Sequence, residues 1–208
     1  MIWYKRFLLF IAFFSGAVVM GVELVGSRVL SPYFGSSIFV WGSLISVFMG
    51  ALSLGYYSGG WYSDRSPSLT KLAVIIIFSA IFLGCVPIFG NTLNEIISSL
   101  DMDVRYASLL SATGLFFIPI AALGVVSPYI IRMSTSEVSQ IGINSGAVYS
   151  VSTLGSILGT ILTSFYLIAI LGVKMIFWLF SGSLFILALI MILVDNTTNI
   201  MQPSDKTG

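Results

Sequence analysis

The sequence predicts an all-α integral membrane protein, built as a six-helix transmembrane bundle. Of its 208 residues, 57% are hydrophobic and only 8% are charged, and the mean hydropathy is +1.05. These values lie far outside those of soluble globular domains. Charges fall in short clusters between long uncharged stretches, and a bilayer core takes about 20 apolar residues per helix. Six stretches qualify: Phe7–Leu30, Ile38–Tyr62, Leu72–Phe89, Tyr106–Ile131, Gly146–Leu171 and Met175–Val194. They use most of the chain. The expectation is one transmembrane domain over residues 1–194, with residues 195–208 as a disordered polar tail.

The first stretch follows Lys5 and Arg6, a signal-like start. Its apolar run is too long for a signal peptide and no small-residue cleavage site ends it, so a retained helix is expected. It also carries the most informative residue. Glu23 sits inside a hydrocarbon-length helix, where an acidic group costs roughly 2.5–3.5 kcal/mol on insertion scales. Such a carboxylate is expected to face a protein interior or a wet cavity. Arg28, five positions on, lies well around the helix from Glu23 and near its end, where it can snorkel to headgroups.

Pro32 and Gly35 mark the exit from the first helix. Between the third and fourth helices, Thr92-Leu93-Asn94-Glu95 is a capping-box pattern, and Leu93, Ile96, Ile97, Leu100 and Val104 keep helical spacing. This predicts a short amphipathic helix on the outer surface, with Glu95, Asp101 and Asp103 on its polar side. Ser134-Thr135-Ser136-Glu137 repeats the capping-box pattern ahead of the fifth helix. Pro87, Pro119 and Pro128 each remove a backbone donor and can kink a helix.

Lys and Arg counts near the helix ends orient the bundle. With the N-terminus inside, Lys5, Arg6, Arg65, Lys71, Arg132 and Lys206 are cytoplasmic, against Arg28, Arg105 and Lys174 outside. A cell-membrane protein with both termini cytoplasmic is the expectation. A net charge of +1 with no basic stripe points away from a nucleic-acid partner. Histidine is absent and Cys85 is alone, which excludes an internal disulfide, His-containing or paired-Cys zinc sites and any nucleophile–His catalyst. No metal, cofactor or catalytic residue is expected.

The fifth helix holds the densest polar stripe. Tyr149, Ser152, Thr153, Ser156, Thr160 and Ser164 recur at three- and four-residue steps. Gly155 and Gly159 form a small-residue pair on an adjoining face, where another backbone can approach closely, and Gly55 and Gly59 do the same in the second helix. Hydroxyls and glycines of this kind ordinarily pack helices together. Glu23 needs a partner, however, so the candidate binding residues are Glu23, Tyr149, Ser152, Thr153 and Ser156. Tyr56 and Tyr57 are alternative partners for the carboxylate.

At the inner end of the second helix, Gly59-Gly60-Trp61-Tyr62-Ser63-Asp64-Arg65 resembles the loop motif that follows the second helix in the major facilitator superfamily. That resemblance implies that Asp64 accepts from a neighbouring helix N-terminus. Six helices resemble one half of such a transporter. A wider set of segments resembles the membrane portion of spermidine-synthase-like membrane proteins, the major-facilitator/spermidine-synthase fusion type. It comprises Ser15-Gly16-Ala17, Glu23 to Ser37, Leu54-Gly55-Tyr56-Tyr57 to Asp64-Arg65, Ser127-Pro128 to Arg132, and Gly146 to Ser156. Ala169 departs from that pattern, standing where a proline is expected. The resemblance also leads one to expect a soluble synthase domain, which does not follow before Gly208. It therefore implies a membrane partner of polyamine chemistry rather than the catalyst.

Two functions follow as expectations. The first is a module that binds or transports a small cationic, polyamine-like solute through Glu23 and the hydroxyls, with the glycine faces able to build a dimer. The second is a non-catalytic anchor for a separate soluble synthase-like protein, docked on the loops at Asp64–Lys71 and Arg132–Ile143. The buried carboxylate favours the first.

Overall fold

The computed structural model describes residues 2–65, 67–135 and 138–200. The helices are α1 (Ile2–Phe34), α2 (Ile38–Ser63), α3 (Leu69–Ser98), α4 (Val104–Gly124), α5 (Val126–Ser134), α6 (Ile141–Leu162), α7 (Ile168–Ile170) and α8 (Val173–Ile200). They make six spans long and apolar enough to cross a membrane. α4 and α5 together form the fourth span; α6, a π-helical segment Thr163–Leu167 and α7 form the fifth. The chain is a multi-pass membrane protein with the architecture of a six-helix bundle.

Local chemistry explains the joints. Between α1 and α2 the chain reverses at Gly35, which adopts a φ of 77° and donates to Ser31 O at 2.9 Å. Only glycine takes that left-handed conformation without a Cβ clash. Ser68 caps α3 by accepting from Lys71 N, and Asp103 caps α4 by accepting from Arg105 N at 2.9 Å. The fourth span breaks at Val125. Pro128 has no N–H to offer the carbonyl four residues back, which falls on Gly124, the last residue of α4.

Two expectations need correction. No separate surface helix begins at Thr92, because α3 runs unbroken to Ser98. The reason is Asn94, which is fully buried. Its amide donates to Val29 O at 3.2 Å and its oxygen accepts from the Ser111 hydroxyl, so this turn belongs to the bundle rather than to the surface. At the other end α8 does not stop at Val194 but continues to Ile200. Asp195 accepts from Thr70 N at 3.1 Å, Thr70 Oγ1 at 2.6 Å and Ser68 Oγ at 3.2 Å, thereby capping α3 from across the molecule. The rest of the expected tail, from position 201, lies outside the described residues, as do Ser136 and Glu137 of the second capping-box pattern.

The spans pack in three close pairs: first with fifth, second with fourth, third with sixth. The first two pairs are parallel and built on glycine. A Cβ at Gly155 would strike Phe13 O and one at Gly159 would strike Ala17 O. Likewise Gly55 lies against Ala121 O and Gly59 against Val125 Cα and O. One constant offset therefore carries Phe13 to Ala121, Gly16 to Gly124 and Ala17 to Val125. A second carries Gly55 to Gly155 and Gly59 to Gly159. These matching contacts have the pattern of two three-span repeats about a pseudo-two-fold axis. Because each repeat holds an odd number of spans, the repeats run in opposite directions through the membrane.

Candidate functional site

Irregular or polar structure in a repeat-built membrane bundle concentrates at the repeat interface near mid-membrane. Here that interface holds a cavity of about 70 Å³. Its lining includes Ser15, Met20, Tyr56, Ser127, Ser152 and Ser156. The two offsets relate these residues in the same way as the glycines: Tyr56 corresponds to Ser156, while Ser127 corresponds to Val19, another wall residue. The cavity thus lies on the pseudo-two-fold axis, where the first, second, fourth and fifth spans meet.

The cavity is polar on one side. Ser15 is only 4% exposed, and its hydroxyl has no hydrogen-bond partner among the described residues. A buried, unpaired hydroxyl is costly, about 1–3 kcal/mol, so the cavity suits a water or a ligand group that completes it. Liquid water takes about 30 Å³ per molecule. A volume near 70 Å³ therefore holds one or two waters and no larger organic solute.

Glu23 lies beyond this cavity on the same face of α1. It stands four residues after Val19 and three after Met20, so it continues the stripe that lines the axis. Its side chain is half-buried, and no hydrogen bond or ion pair engages it among the described residues. Arg28 does not pair with it; that side chain is exposed and lines cavities at the end of the bundle remote from the N-terminus.

The fifth-span hydroxyls divide into two groups. Ser156 donates to Gly16 O at 3.2 Å as well as to Ser152 O at 3.1 Å, and with Ser152 it faces the cavity. Thr153 donates to Tyr149 O at 2.8 Å, Thr160 to Ser156 O at 2.8 Å, and Ser164 to Thr160 O at 2.6 Å. These last three satisfy their own helix one turn back and do not reach Glu23. Thr153 and Tyr149 are exposed. The structure therefore brings Ser152 and Ser156 to the axis with Tyr56, and leaves Thr153 on the outside of the span.

Motif residues at the N-terminal end of the bundle are placed differently from the resemblance. Asp64 Oδ1 lies 3.4 Å from Arg132 Nε, an exposed ion pair joining α2 to α5. Arg65 stacks over the Trp61 ring at 3.8 Å. At this end of the bundle it is Asp195 that serves a helix N-terminus, that of α3. Among the described residues no group of three or more His, Cys, Asp or Glu side chains could hold a metal ion.

Reading along the sequence missed Ser15, Tyr56 as a cavity wall, and Ser127. A signal for them was present. Leu54-Gly55 with Gly59 recurs as Leu154-Gly155 with Gly159, and such an internal repeat places equivalent residues around a shared axis. Comparison with protein-family models, curated proteins and solved structures finds no match to this chain.

Proposed function

We propose that the protein binds a small cationic solute within the membrane, on the face shared by the first, second, fourth and fifth spans, and that this binding serves transport. In this reading Glu23 is the charged anchor, and the hydroxyls of Tyr56, Ser152 and Ser156 supply hydrogen bonds one to two turns away. The observation that carries the reading is the lack of a partner for Glu23. A carboxylate retained at that depth without a protein cation or donor marks an ion or substrate pathway by default, and a cation or a proton brought from outside would neutralise it. The small axial cavity fits a closed arrangement in which water fills what a moving repeat would open. We place the protein in the cell membrane with both termini cytoplasmic, on the distribution of Lys and Arg.

Glu23→Gln isolates the charge, since glutamine keeps shape and hydrogen-bonding reach. Polyamines are the first candidates, through the resemblance to spermidine-synthase-like membrane proteins. Spermidine is expected to raise the thermal midpoint of the purified wild-type protein and to leave the variant unmoved, at equal helix content. A response that survives the substitution undiminished would exclude Glu23 as the binding residue. The alternative, an anchor for a separate soluble synthase-like protein through the exposed Asp64, Arg65 and Arg132 cluster, would then be the better reading.

A further inference from the structure

Three basic side chains sit at the end of the bundle remote from the N-terminus. Arg105 is matched locally: its Nε lies 3.7 Å from Asp103 Oδ1, and its guanidinium lies 4.8 Å from the Phe39 ring centroid. Arg28 and Lys174 have no carboxylate partner among the described residues. Both line one cavity of about 300 Å³ between the first, third and sixth spans. Asn91 and Tyr33 add an amide and a phenol to its wall, while Val86, Pro87 and Phe177 make the remainder apolar.

Two solvated surface cations would ordinarily diverge into water. Here they share a recess, where an anion between them would relieve their repulsion. The volume lies at the lower bound of small-ligand sites, about 300 Å³. We infer that this cavity binds a net-anionic phosphate group, with Arg28 and Lys174 as its counter-charges. Arg28 offers a planar fork that can grip two phosphate oxygens, and Lys174 offers a mobile point charge. Asn91 can donate a further hydrogen bond. Basic pockets between transmembrane helices bind anionic headgroups on the cytoplasmic side of membranes, and the same chemistry is assigned here to the opposite face. The apolar wall gives a lipid's glycerol and first methylenes a place to lie, whereas a free phosphate would use only the basic rim. The inference is independent of Glu23, which does not line this cavity.

Phosphatidylglycerol, phosphatidylcholine with the same chains, and inorganic phosphate are titrated separately against the purified full chain in detergent, with the thermal midpoint as readout. Phosphatidylglycerol is expected to raise the midpoint and phosphatidylcholine to leave it unchanged. Arg28→Gln and Lys174→Gln should each weaken the apparent affinity about fivefold, the equivalent of about 1 kcal/mol per basic side chain at an anionic surface. The double variant should lose the response, and Arg105→Gln should keep it. Where the double variant fails to fold, the two single variants decide. If inorganic phosphate reproduces the effect and competes with the lipid, the site stands and its ligand is a free anion. Equal stabilisation by phosphatidylcholine, a response retained without both cations, or no response to any of the three overturns the inference.

Discussion

Asn94 ties three spans together with one side chain. It sits on α3, reaches Val29 O on α1 and receives the Ser111 hydroxyl from α4. Interhelical hydrogen bonds in membrane proteins average about 0.6 kcal/mol, up to about 1.7. Removing one end of this network also strands its buried partners, at about 1–3 kcal/mol. Asn94→Leu is therefore expected to destabilise the bundle by about 1–3 kcal/mol, seen as a lower midpoint in thermal or denaturant unfolding. An unchanged midpoint would show that α1 and α4 pack without it. Asp195 does comparable work at the opposite end, where one carboxylate satisfies Ser68 and Thr70 at the start of α3. Glu23 stands apart from both, because no protein group answers its charge among the described residues.

Helices here are held by close backbone approach rather than by an apolar core alone, since lipid tails are as apolar as leucine. Gly55 and Gly155 occupy equivalent places in the two repeats, against Ala121 O and Phe13 O respectively. A larger side chain at either forces the pair of helices apart. Gly55→Leu and Gly155→Leu should each cost about 1–3 kcal/mol, as overpacking does elsewhere. Gly60→Leu is the control, because among the described residues nothing beyond its own stretch of helix lies within 4 Å of where its Cβ would stand. Equal midpoints for all three variants in detergent would count against the glycine contacts as the source of cohesion. The hydroxyl stripe of α6 belongs to the same scale. Its three- and four-residue spacing was plain in the sequence, but Thr153, Thr160 and Ser164 spend their protons on their own helix. Ser156 donates across to α1 at Gly16 O, where the absence of a Cβ also lets the Ser152 backbone come close.

At the scale of the molecule, six spans place the N-terminus and the end of α8 on the same side of the membrane. We propose, from the positive-inside bias, that this side is cytoplasmic. In a Cys85→Ala background, Ser99→Cys should react with an impermeant thiol reagent added to intact cells, and Thr197→Cys should react only after lysis. Labelling of Thr197→Cys from outside would invert the orientation. The spans themselves were legible from the sequence, since hydropathy is a property of consecutive residues and needs no knowledge of neighbours. Glu23 was legible for a related reason: its cost depends on its depth within one helix. Only tertiary structure could decide that α3 continues past Thr92, that α8 continues past Val194, and that Ser15, Tyr56, Ser127, Ser152 and Ser156 surround one cavity. Each of these depends on a partner from a distant helix: Val29 and Ser111 for Asn94, Ser68 and Thr70 for Asp195, and, for the cavity, the pairing of first span with fifth and second with fourth. Periodicity assigns a residue to a face of its helix, but the packing of glycine against a particular carbonyl chooses which helix that face meets.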